Sequence, residues 1–302
     1  MLRNRKILVT GPAGQIAFPL ARALAKDNEV WGIARFRAPG SREAVEAAGI
    51  TARSCDLASG RFEGIPEDFD TVLHLAAFQA PGEDYDAAIR VNAEATGLLL
   101  QHCRKARAAL VMSTHSVYRP VDDAFHAYAE TSALGDAHAV HSPTYSVSKI
   151  AQEAVARTSA RLLGLPVVIA RMNAAYGPGG GLPIFHMDAI ASGRSVSARW
   201  DPAPYQPIHD DDILAQLEPL LEAAGVPATI VNWAGDEIVT VQQWCLAMGE
   251  LLGRPAHVET RPVPGTHRGL VADVGRRREI AGRCHVHWKD GLRRAAEARG
   301  LL

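Results

Sequence analysis

Tyr145 and Lys149 lie four residues apart in the segment Tyr-Ser-Val-Ser-Lys, and an apolar run ending in Ser113-Thr114 precedes them. Residues four apart on a helix share one face, so this spacing brings a phenol and an ammonium together. A free tyrosine titrates near about 10 and is a poor base at neutral pH. Because a neighbouring cation lowers the pKa of a phenol, we predict that Tyr145 exchanges a proton with a substrate. The spacing alone also fits an ordinary solvated helix face.

A glycine-rich turn is the second pattern with chemical meaning. The segment Thr10-Gly11-Pro-Ala-Gly14-Gln15-Ile16-Ala17 follows an apolar run and opens an amphipathic stretch. Glycines at such a strand-to-helix turn let the backbone approach a pyrophosphate, which the helix N-terminus also attracts. The pattern predicts a dinucleotide site formed by Gly11, Gly14, Gln15 and Ile16, although an ordinary turn between a strand and a helix would also fit.

The end of the second apolar run bears on the choice of cofactor. Proteins that bind NAD usually place an acidic residue there, which accepts a hydrogen bond from the ribose 2′-hydroxyl. This chain has Ala34-Arg35-Phe36-Arg37 and no acid. The planar guanidinium of Arg35, helped by Arg37, suits a 2′-phosphate, so the sequence favours NADP over NAD. A solvated arginine on a loop is the alternative.

The elements that position these residues alternate along the first half of the chain. Short apolar runs over residues 6–10, 29–34, 71–75, 109–113 and 166–171 are separated by amphipathic stretches over 15–26, 41–48 and 84–107. This alternation indicates βαβ units. We predict an α/β fold, a Rossmann-type doubly wound parallel sheet with a small discontinuous C-terminal substrate lobe. Residues 1–171, with 205–233 returning to them, would form the dinucleotide-binding domain, and residues 172–204 and 234–302 the lobe.

The composition narrows the class of partner. The 302 residues carry a formal net charge of −1, which gives no basic field for nucleic acid or an anionic membrane. No apolar run approaches the length of a membrane span. The four cysteines form no C-x-x-C pair, and the histidines have no metal-ligand spacing. We expect a cytoplasmic protein that acts on a small molecule and holds no metal.

Taken in order, these motifs resemble those of the extended short-chain dehydrogenases/reductases, in the NAD-dependent epimerase/dehydratase superfamily. The resemblance covers nearly the whole chain and rests on Thr10-Gly11-x-x-Gly14-x-x-Ala17, Cys55-Asp56-Leu57, His74-Leu-Ala-Ala77, Val91-Asn92, Ser113-Thr114-x-x-Val117-Tyr118, Tyr145-x-x-x-Lys149, Arg171-Met-Asn173-x-x-Tyr176-Gly177-Pro178 and Ile208-His209-x-x-Asp212.

The resemblance implies cofactor contacts beyond the glycine turn. Asp56 matches the residue that contacts the adenine ring, and Leu57 packs beside it. Ala76 and Ala77 would line the nicotinamide ribose through their backbone. Lys149 matches the lysine that binds the ribose and adjusts the pKa of the catalytic tyrosine.

The resemblance also implies the catalytic and substrate residues. Thr114 matches the hydroxyl that orients the substrate oxygen, and Tyr145 matches the catalytic acid and base. Our first candidates for contact with the substrate are Gln79, His115 and Asn173. The substrate would lie among residues 78–85, 115–118, 125–141 and 179–185.

Two departures from the family pattern guide the functional prediction. Dehydratases of the family carry an Asp-Glu pair after the threonine, where this chain has His115 and Ser116. Nucleotide-sugar epimerases usually carry an arginine before the Ile-His element, where this chain has Tyr205-Gln206-Pro207. We therefore predict an NAD(P)-dependent oxidoreductase, a dehydrogenase or reductase that transfers hydride between nicotinamide and a carbonyl or secondary alcohol of a small molecule.

Two other functions remain open. One is a sugar or nucleotide-sugar epimerase that keeps NAD tightly bound. The other is a nucleotide sensor without catalysis, which would have little use for Thr114, Tyr145 and Lys149 together. Because the family commonly dimerises through two long helices, here at about residues 84–107 and 143–163, we expect a homodimer.

Overall fold

The computed structural model describes residues 2–137 and 142–302, in which strands and helices alternate. The strands are β1 Lys6–Thr10, β2 Glu29–Ala34, β3 Thr51–Ser54, β4 Thr71–His74, β5 Ala108–Thr114, β6 Ala127–Tyr128, β7 Val167–Met172, β8 Ala174–Tyr176, β9 Val196–Ala198, β10 Pro204–Tyr205, β11 Pro207–His209, β12 Thr229–Trp233, β13 Val239–Thr240, β14 Val258–Thr260 and β15 Val271–Ala272. The helices are α1 Ala17–Leu24, α2 Ser41–Ala47, α3 Tyr85–Ile89, α4 Ala95–His102, α5 Tyr145–Leu163, α6 Leu182–Ala191, α7 Asp210–Glu222, α8 Val241–Leu252, α9 Gly275–Ala281 and α10 Trp288–Ala298.

Seven parallel strands form the central sheet in the order β12-β7-β5-β4-β1-β2-β3. The order proceeds from β1 through β2 to β3 on one side and from β4 through β5 and β7 to β12 on the other. The order in which the chain adds strands therefore reverses between β1 and β4, and α/β sheets bind ligands at such a point, at the carboxyl ends of their strands. The predicted doubly wound parallel sheet is confirmed.

Apolar side chains cover both faces of this sheet. Leu20 of α1 and Leu217 of α7 are buried on one face, and Leu99 of α4 and Ala156 of α5 are buried on the other. Strands buried on both faces consist of nearly continuous apolar residues, as β5 and β7 do. The sheet is thus a rigid platform for the residues at its carboxyl edge.

Two elements differ from the sequence-based expectation. Strand β3 was not predicted, because its sequence Thr-Ala-Arg-Ser is short, three of its four residues are polar, and it lies at the sheet edge. The helix predicted over residues 84–107 ends at His102 and is interrupted by one turn of π-helix over Arg90–Glu94. Such turns insert one extra residue per turn and are frequent at functional sites.

A separate apolar cluster lies in the C-terminal part of the chain. It joins α6, α8 and α10 through Ile184, Met187, Trp244, Met248 and Leu292, all of which are nearly inaccessible to solvent. Residues 229–233 return to the central sheet as β12 beside β7. The boundaries between the dinucleotide-binding domain and the lobe stay a prediction. Across the described residues, no helix is both long and apolar enough to cross a membrane.

Candidate active site

The glycine-rich turn lies where β1 and β4 end side by side. Gly11 has a φ of +66°, and a Cβ there would stand 3.3 Å from both Cα and Cβ of Ala76. A Cβ on Gly14 would stand 3.1 Å from the carbonyl oxygen of Gly11. The Thr10 hydroxyl accepts hydrogen bonds from the backbone N–H groups of Leu75 and Ala76, both at 3.0 Å. The turn is therefore held tightly against the loop that follows β4, and a Cβ at either glycine would make an unusually close contact.

A cleft of about 350 Å³ opens over this turn. Seven of the ten residues predicted to bind the cofactor line it: Gly11, Gly14, Arg35, Asp56, Leu57, Ala76 and Ala77. The other three, Gln15, Ile16 and Lys149, do not line the cleft. The amide Nε2 of Gln15 instead donates to the carbonyl oxygen of Ala175 at 3.1 Å, which joins the glycine turn to β8. An elongated ligand that fills the cleft would run from Arg35 at one end to Ala77 at the other.

Positive charge marks one end of the cleft. Arg35 and Arg37 are both exposed, and within the described residues neither forms an ion pair. Phe36 between them has a φ of +45°, in the left-handed region that non-glycine residues rarely adopt. Asp56 caps the short helix Leu57–Ser59 by accepting from the backbone N–H of Ala58 at 3.1 Å. The cleft thus offers two guanidinium groups and one carboxylate.

The three predicted catalytic residues meet where β5 faces α5. Thr114 ends β5, and Tyr145 begins α5. Their side chains are hydrogen-bonded to each other. Lys149 is buried one turn further along α5, and its Nζ donates to the carbonyl oxygen of Met112 at 2.6 Å. The Nζ of Lys149 lies 6.0 Å from the centre of the Tyr145 ring. The structure therefore brings Thr114, Tyr145 and Lys149 together.

Burial dominates the electrostatics of this group. It raises the pKa of Tyr145 to about 12, although the hydrogen bond from Thr114 acts in the opposite direction. It also lowers the pKa of Lys149 to about 7, against the influence of the Glu153 carboxylate. The expectation that Lys149 lowers the pKa of Tyr145 is therefore wrong for the protein without ligand. Desolvation of the phenol outweighs a lysine that is itself close to losing its proton.

The structure places His115 and Asn173 in a buried network. His115 is 2% exposed, and its Nε2 lies 3.1 Å from Oδ1 of Asn232. Its Nδ1 lies 2.6 Å from Nδ2 of Asn173, which also donates to the carbonyl oxygen of Leu270 at 2.7 Å. Burial lowers the pKa of His115 to about 3, so the ring is neutral. Both ring nitrogens already have protein partners, and contact of His115 or Asn173 with a substrate stays a prediction.

Two further segments were predicted to face the substrate. Gln79 is exposed in the loop after β4. That loop is held in place by Asn92, whose side chain bonds both the N–H and the carbonyl of Phe78, at 2.6 Å and 3.0 Å. Of the predicted segment 125–141, residues 138–141 lie outside the described residues. The role of Gln79 stays a prediction.

Behind the predicted catalytic residues lies a buried ion pair that we did not predict. Arg171 of β7 and Glu153 of α5 form a two-point contact, with N–O distances of 2.9 Å and 2.7 Å. The Arg171 guanidinium also donates to the hydroxyl of Tyr118 at 3.0 Å, and that hydroxyl donates to Asn232 at 2.5 Å. The sequence could have indicated Glu153, because it lies four residues after Lys149 and therefore on the same face of the helix.

Two curated proteins are similar to part of this chain. The uncharacterised UDP-glucose epimerase YtcB of Bacillus subtilis is 29% identical over 189 residues, which cover 57% of this chain and 57% of that protein. The L-arabinose 1-dehydrogenase (NAD(P)+) of Haloferax volcanii is 30% identical over 176 residues, which cover 56% of this chain and 66% of that protein. The chain therefore spans less than two thirds of the length of either relative.

Solved structures of sugar-nucleotide enzymes share the whole fold. The UDP-glucuronic acid 4-epimerase of Bacillus cereus, in complex with UDP-glucuronic acid and NAD, has a TM-score of 0.82 at 23% identity and covers 98% of this chain and 100% of its own. The UDP-N-acetylglucosamine 4-epimerase of Methanobrevibacter ruminantium has a TM-score of 0.84 at 20% identity and covers 99% of both chains. At these identities the comparison establishes the fold.

The family itself follows from the sequence match. The model of the family described as "NAD dependent epimerase/dehydratase family" matches residues 7–193, more than half of the chain. The resemblance predicted from the motifs is thereby confirmed: this chain belongs to the NAD dependent epimerase/dehydratase family.

Proposed function

We propose that this enzyme transfers hydride reversibly at a secondary alcohol or carbonyl carbon of a sugar, and that its net reaction is the epimerisation of a nucleotide sugar. The observation that carries the proposal is the meeting of Thr114, Tyr145 and Lys149 at the carboxyl edge of the sheet, next to the cleft over Gly11. The epimerase outcome is supported by relatives whose names specify UDP-sugar epimerases.

The cleft fits a nicotinamide dinucleotide. Cβ atoms at Gly11 and Gly14 would approach backbone within 3.3 Å, so these glycines keep the turn open to a pyrophosphate. Asp56 and Arg35 stand where an adenosine would end. When bound, the nicotinamide supplies or accepts the hydride.

Thr114, Tyr145 and Lys149 would each have a separate role in the proton transfer. Thr114 ends β5, and its hydroxyl, which accepts from the backbone N–H of Ser116 at 3.2 Å, would orient the oxygen of the reacting carbon by a hydrogen bond. Tyr145 would give its proton to that oxygen in reduction and take it back in oxidation. Since its pKa is about 12 in the protein without ligand, Tyr145 is protonated at neutral pH and ready to act as the acid. Lys149 would stabilise the phenolate that forms.

A net dehydrogenase is the second candidate, because a specific side chain favours it. Tyr205 occupies the stretch where the family resemblance led us to look for a diphosphate-binding arginine. Its ring lies 5.6 Å from that of Trp244, and a phenol cannot pair with a diphosphate as a guanidinium does; the cation whose charge acts on this phenol is Arg199. A relative that oxidises a free sugar, the L-arabinose 1-dehydrogenase, agrees with a substrate that lacks a diphosphate.

The choice of cofactor belongs to the same proposal. Structural relatives were solved with NAD, and a retained NAD is what an epimerase requires. The exposed Arg35 in the cleft and the absence of an acid at the end of β2 instead favour NADP. We propose that the chain accepts both dinucleotides and binds NADP more tightly through Arg35.

A homodimer is proposed through α4 and α5, which pack against each other on one face of the sheet. Leu98 of α4 is 45% exposed and Leu162 of α5 is 79% exposed. A second copy would cover these leucines. Light scattering on the purified protein tests this, and a monomer at micromolar concentration contradicts it.

One experiment separates the two candidate reactions. The nucleotide released from the denatured pure protein is identified by mass spectrometry, and the native protein is then incubated with UDP-glucose or UDP-glucuronic acid without added coenzyme. Formation of the C4 epimer, followed by proton NMR, supports the epimerase. Formation of NAD(P)H at 340 nm from a free sugar with added coenzyme, without any epimer, supports the dehydrogenase. Absence of both reactions across a panel of sugars and carbonyl compounds contradicts the proposed hydride transfer.

A further inference from the structure

Three residues, not two, lie along the stripe of α5 that faces the site. Tyr145, Lys149 and Glu153 follow one another at a spacing of four residues, so they share one face of the helix. Each is held by one of the three successive residues 112–114 of β5. The side chain of Thr114 is hydrogen-bonded to Tyr145. Lys149 donates to the carbonyl of Met112, and the hydroxyl of Ser113 donates to the carboxylate of Glu153. The strand thus fixes all three side chains at once.

The carboxylate of Glu153 is fixed from several sides. It is 2% exposed, accepts from the hydroxyl of Ser113 at 2.5 Å and receives both nitrogens of the Arg171 fork. Arg171 is itself held by the Tyr118 hydroxyl and by the backbone carbonyl of Glu130, each at 3.0 Å. A carboxylate held by a hydroxyl and by both nitrogens of a guanidinium fork has a single orientation.

This carboxylate is the anionic group that acts on Lys149. Among the described residues, the ionisable groups that interact with Lys149 are Tyr145 on its own helix, His74 on β4 and Glu153. Tyr145 is protonated at neutral pH, and burial lowers the pKa of His74 to about 3, so both are uncharged. Glu153 carries a charge, and it raises the pKa of Lys149 against the opposing effect of burial. Arg171 pairs with Glu153 and is not among the groups that shift the pKa of Lys149.

We propose that Glu153 is a positioning residue of the active site, whose fixed carboxylate keeps the buried ammonium of Lys149 charged beside Tyr145. Lys149 makes one hydrogen bond, to Met112, in the described part of the chain, which leaves N–H groups for a ligand. A neutral amine at this position could not stabilise a phenolate. The catalytic consequence rests on the proposed function, whereas the effect on the charge of Lys149 does not.

The charge of Lys149 can be measured without any turnover. The chain has five lysines, so protein labelled with ¹³C at the lysine Cε gives five resolvable signals, and the Lys149 signal is the one lost in Lys149→Met. In the wild type its titration midpoint is expected near 7. Glu153→Gln keeps the shape of the side chain and removes the charge, and it should lower the midpoint by at least about one pH unit. The control Ser113→Ala loses one hydrogen bond to Glu153, keeps its charge and should leave the midpoint in place.

A second variant covers the case in which Glu153→Gln does not fold, since that change leaves Arg171 buried without a partner. Glu153→Met combined with Arg171→Met removes both buried charges, a replacement that cores often tolerate. It should lower the Lys149 midpoint in the same direction as Glu153→Gln. An unchanged midpoint in either folded variant overturns the proposal.

A pH profile of kcat then tests the catalytic consequence. Activity that needs the Lys149 ammonium is lost as the pH rises through the pKa of Lys149, so in Glu153→Gln this alkaline loss should begin at least about one pH unit lower. A uniform drop of kcat at every pH, with the profile unshifted, would mean that Glu153 only supports the fold and would overturn the positioning role. A shifted NMR midpoint in an enzyme without hydride transfer would leave the role of Glu153 intact and refute the proposed function alone.

Discussion

Tyr145→Phe is the most direct test of the proposed chemistry, because it removes one oxygen atom and keeps the ring. That oxygen bonds the side chain of Thr114, and Tyr145 begins α5 directly behind the carboxyl edge of β5. No residue lining the dinucleotide cleft is changed. The substitution therefore separates the proton transfer from the binding of the cofactor.

The expected magnitudes differ enough to distinguish a catalytic from a structural role. Loss of one hydrogen bond between neutral groups costs about 0.5–1.5 kcal/mol of folding stability. Loss of the proton donor should lower kcat by about 10²–10⁴-fold, which corresponds to about 2.7–5.4 kcal/mol in the activation barrier. The barrier should thus change by more than the stability of the protein does.

The measurements are kcat for whichever of the two candidate reactions the protein catalyses, cofactor affinity by fluorescence titration, and unfolding by urea. Tyr176→Phe is the matched control, since it removes a buried phenol oxygen whose only described hydrogen bond goes to the carbonyl of Trp288 at 3.3 Å. This control should lose stability on the same scale and keep its turnover. Turnover of Tyr145→Phe within about threefold of the wild type would refute the acid–base role of Tyr145.

Three further predictions concern the cofactor and the buried histidines. Arg35→Ala should weaken NADP binding about tenfold and leave NAD binding unchanged. Arg37→Ala should have a smaller effect of the same kind. Equal losses for both cofactors would contradict a contact with the 2′-phosphate. Gly11→Ala should weaken the binding of both dinucleotides and lower the free energy of unfolding by about 1 kcal/mol, because Gly11 has a φ of +66°. Calorimetry measures both effects. Unimpaired binding would argue against a pyrophosphate at this turn. His74 and His115 both have a pKa of about 3 in the folded protein and about 6.5 in the unfolded chain. The unfolding free energy should therefore decrease as the pH is lowered from about 6.5 to 3. A urea midpoint independent of pH in that range would contradict this.

How much of the structure can be predicted from the sequence differs from one residue to the next. Gly11 and Gly14 could be assigned to a strand-to-helix turn because their spacing and the apolar run before them lie close together in the chain. The pairing of Tyr145 with Lys149 followed from helical spacing alone. Strand β3 was missed because a short edge strand needs no apolar pattern, and each of its residues pairs with a residue of β2 that lies 20 positions away in the chain.

Charge was the property that local spacing predicted least well. The spacing of Tyr145 and Lys149 suggested a lowered pKa for the tyrosine, whereas burial raises it to about 12. Desolvation depends on everything that packs around a group, including strands remote in sequence. His115 illustrates the same point, because its partners Asn173 and Asn232 lie 58 and 117 residues away.

The sequence by itself determined the parallel sheet, the glycine turn, the positions of Thr114, Tyr145 and Lys149, and the family. These follow from periodicity and from motifs whose residues are close in the chain. Only the tertiary structure decided which charges surround Lys149, since Glu153 acquires its fixed orientation from Arg171 on another strand. Helical spacing can place two side chains on one face, but their protonation is set by the surrounding dielectric and the partners that folding assembles.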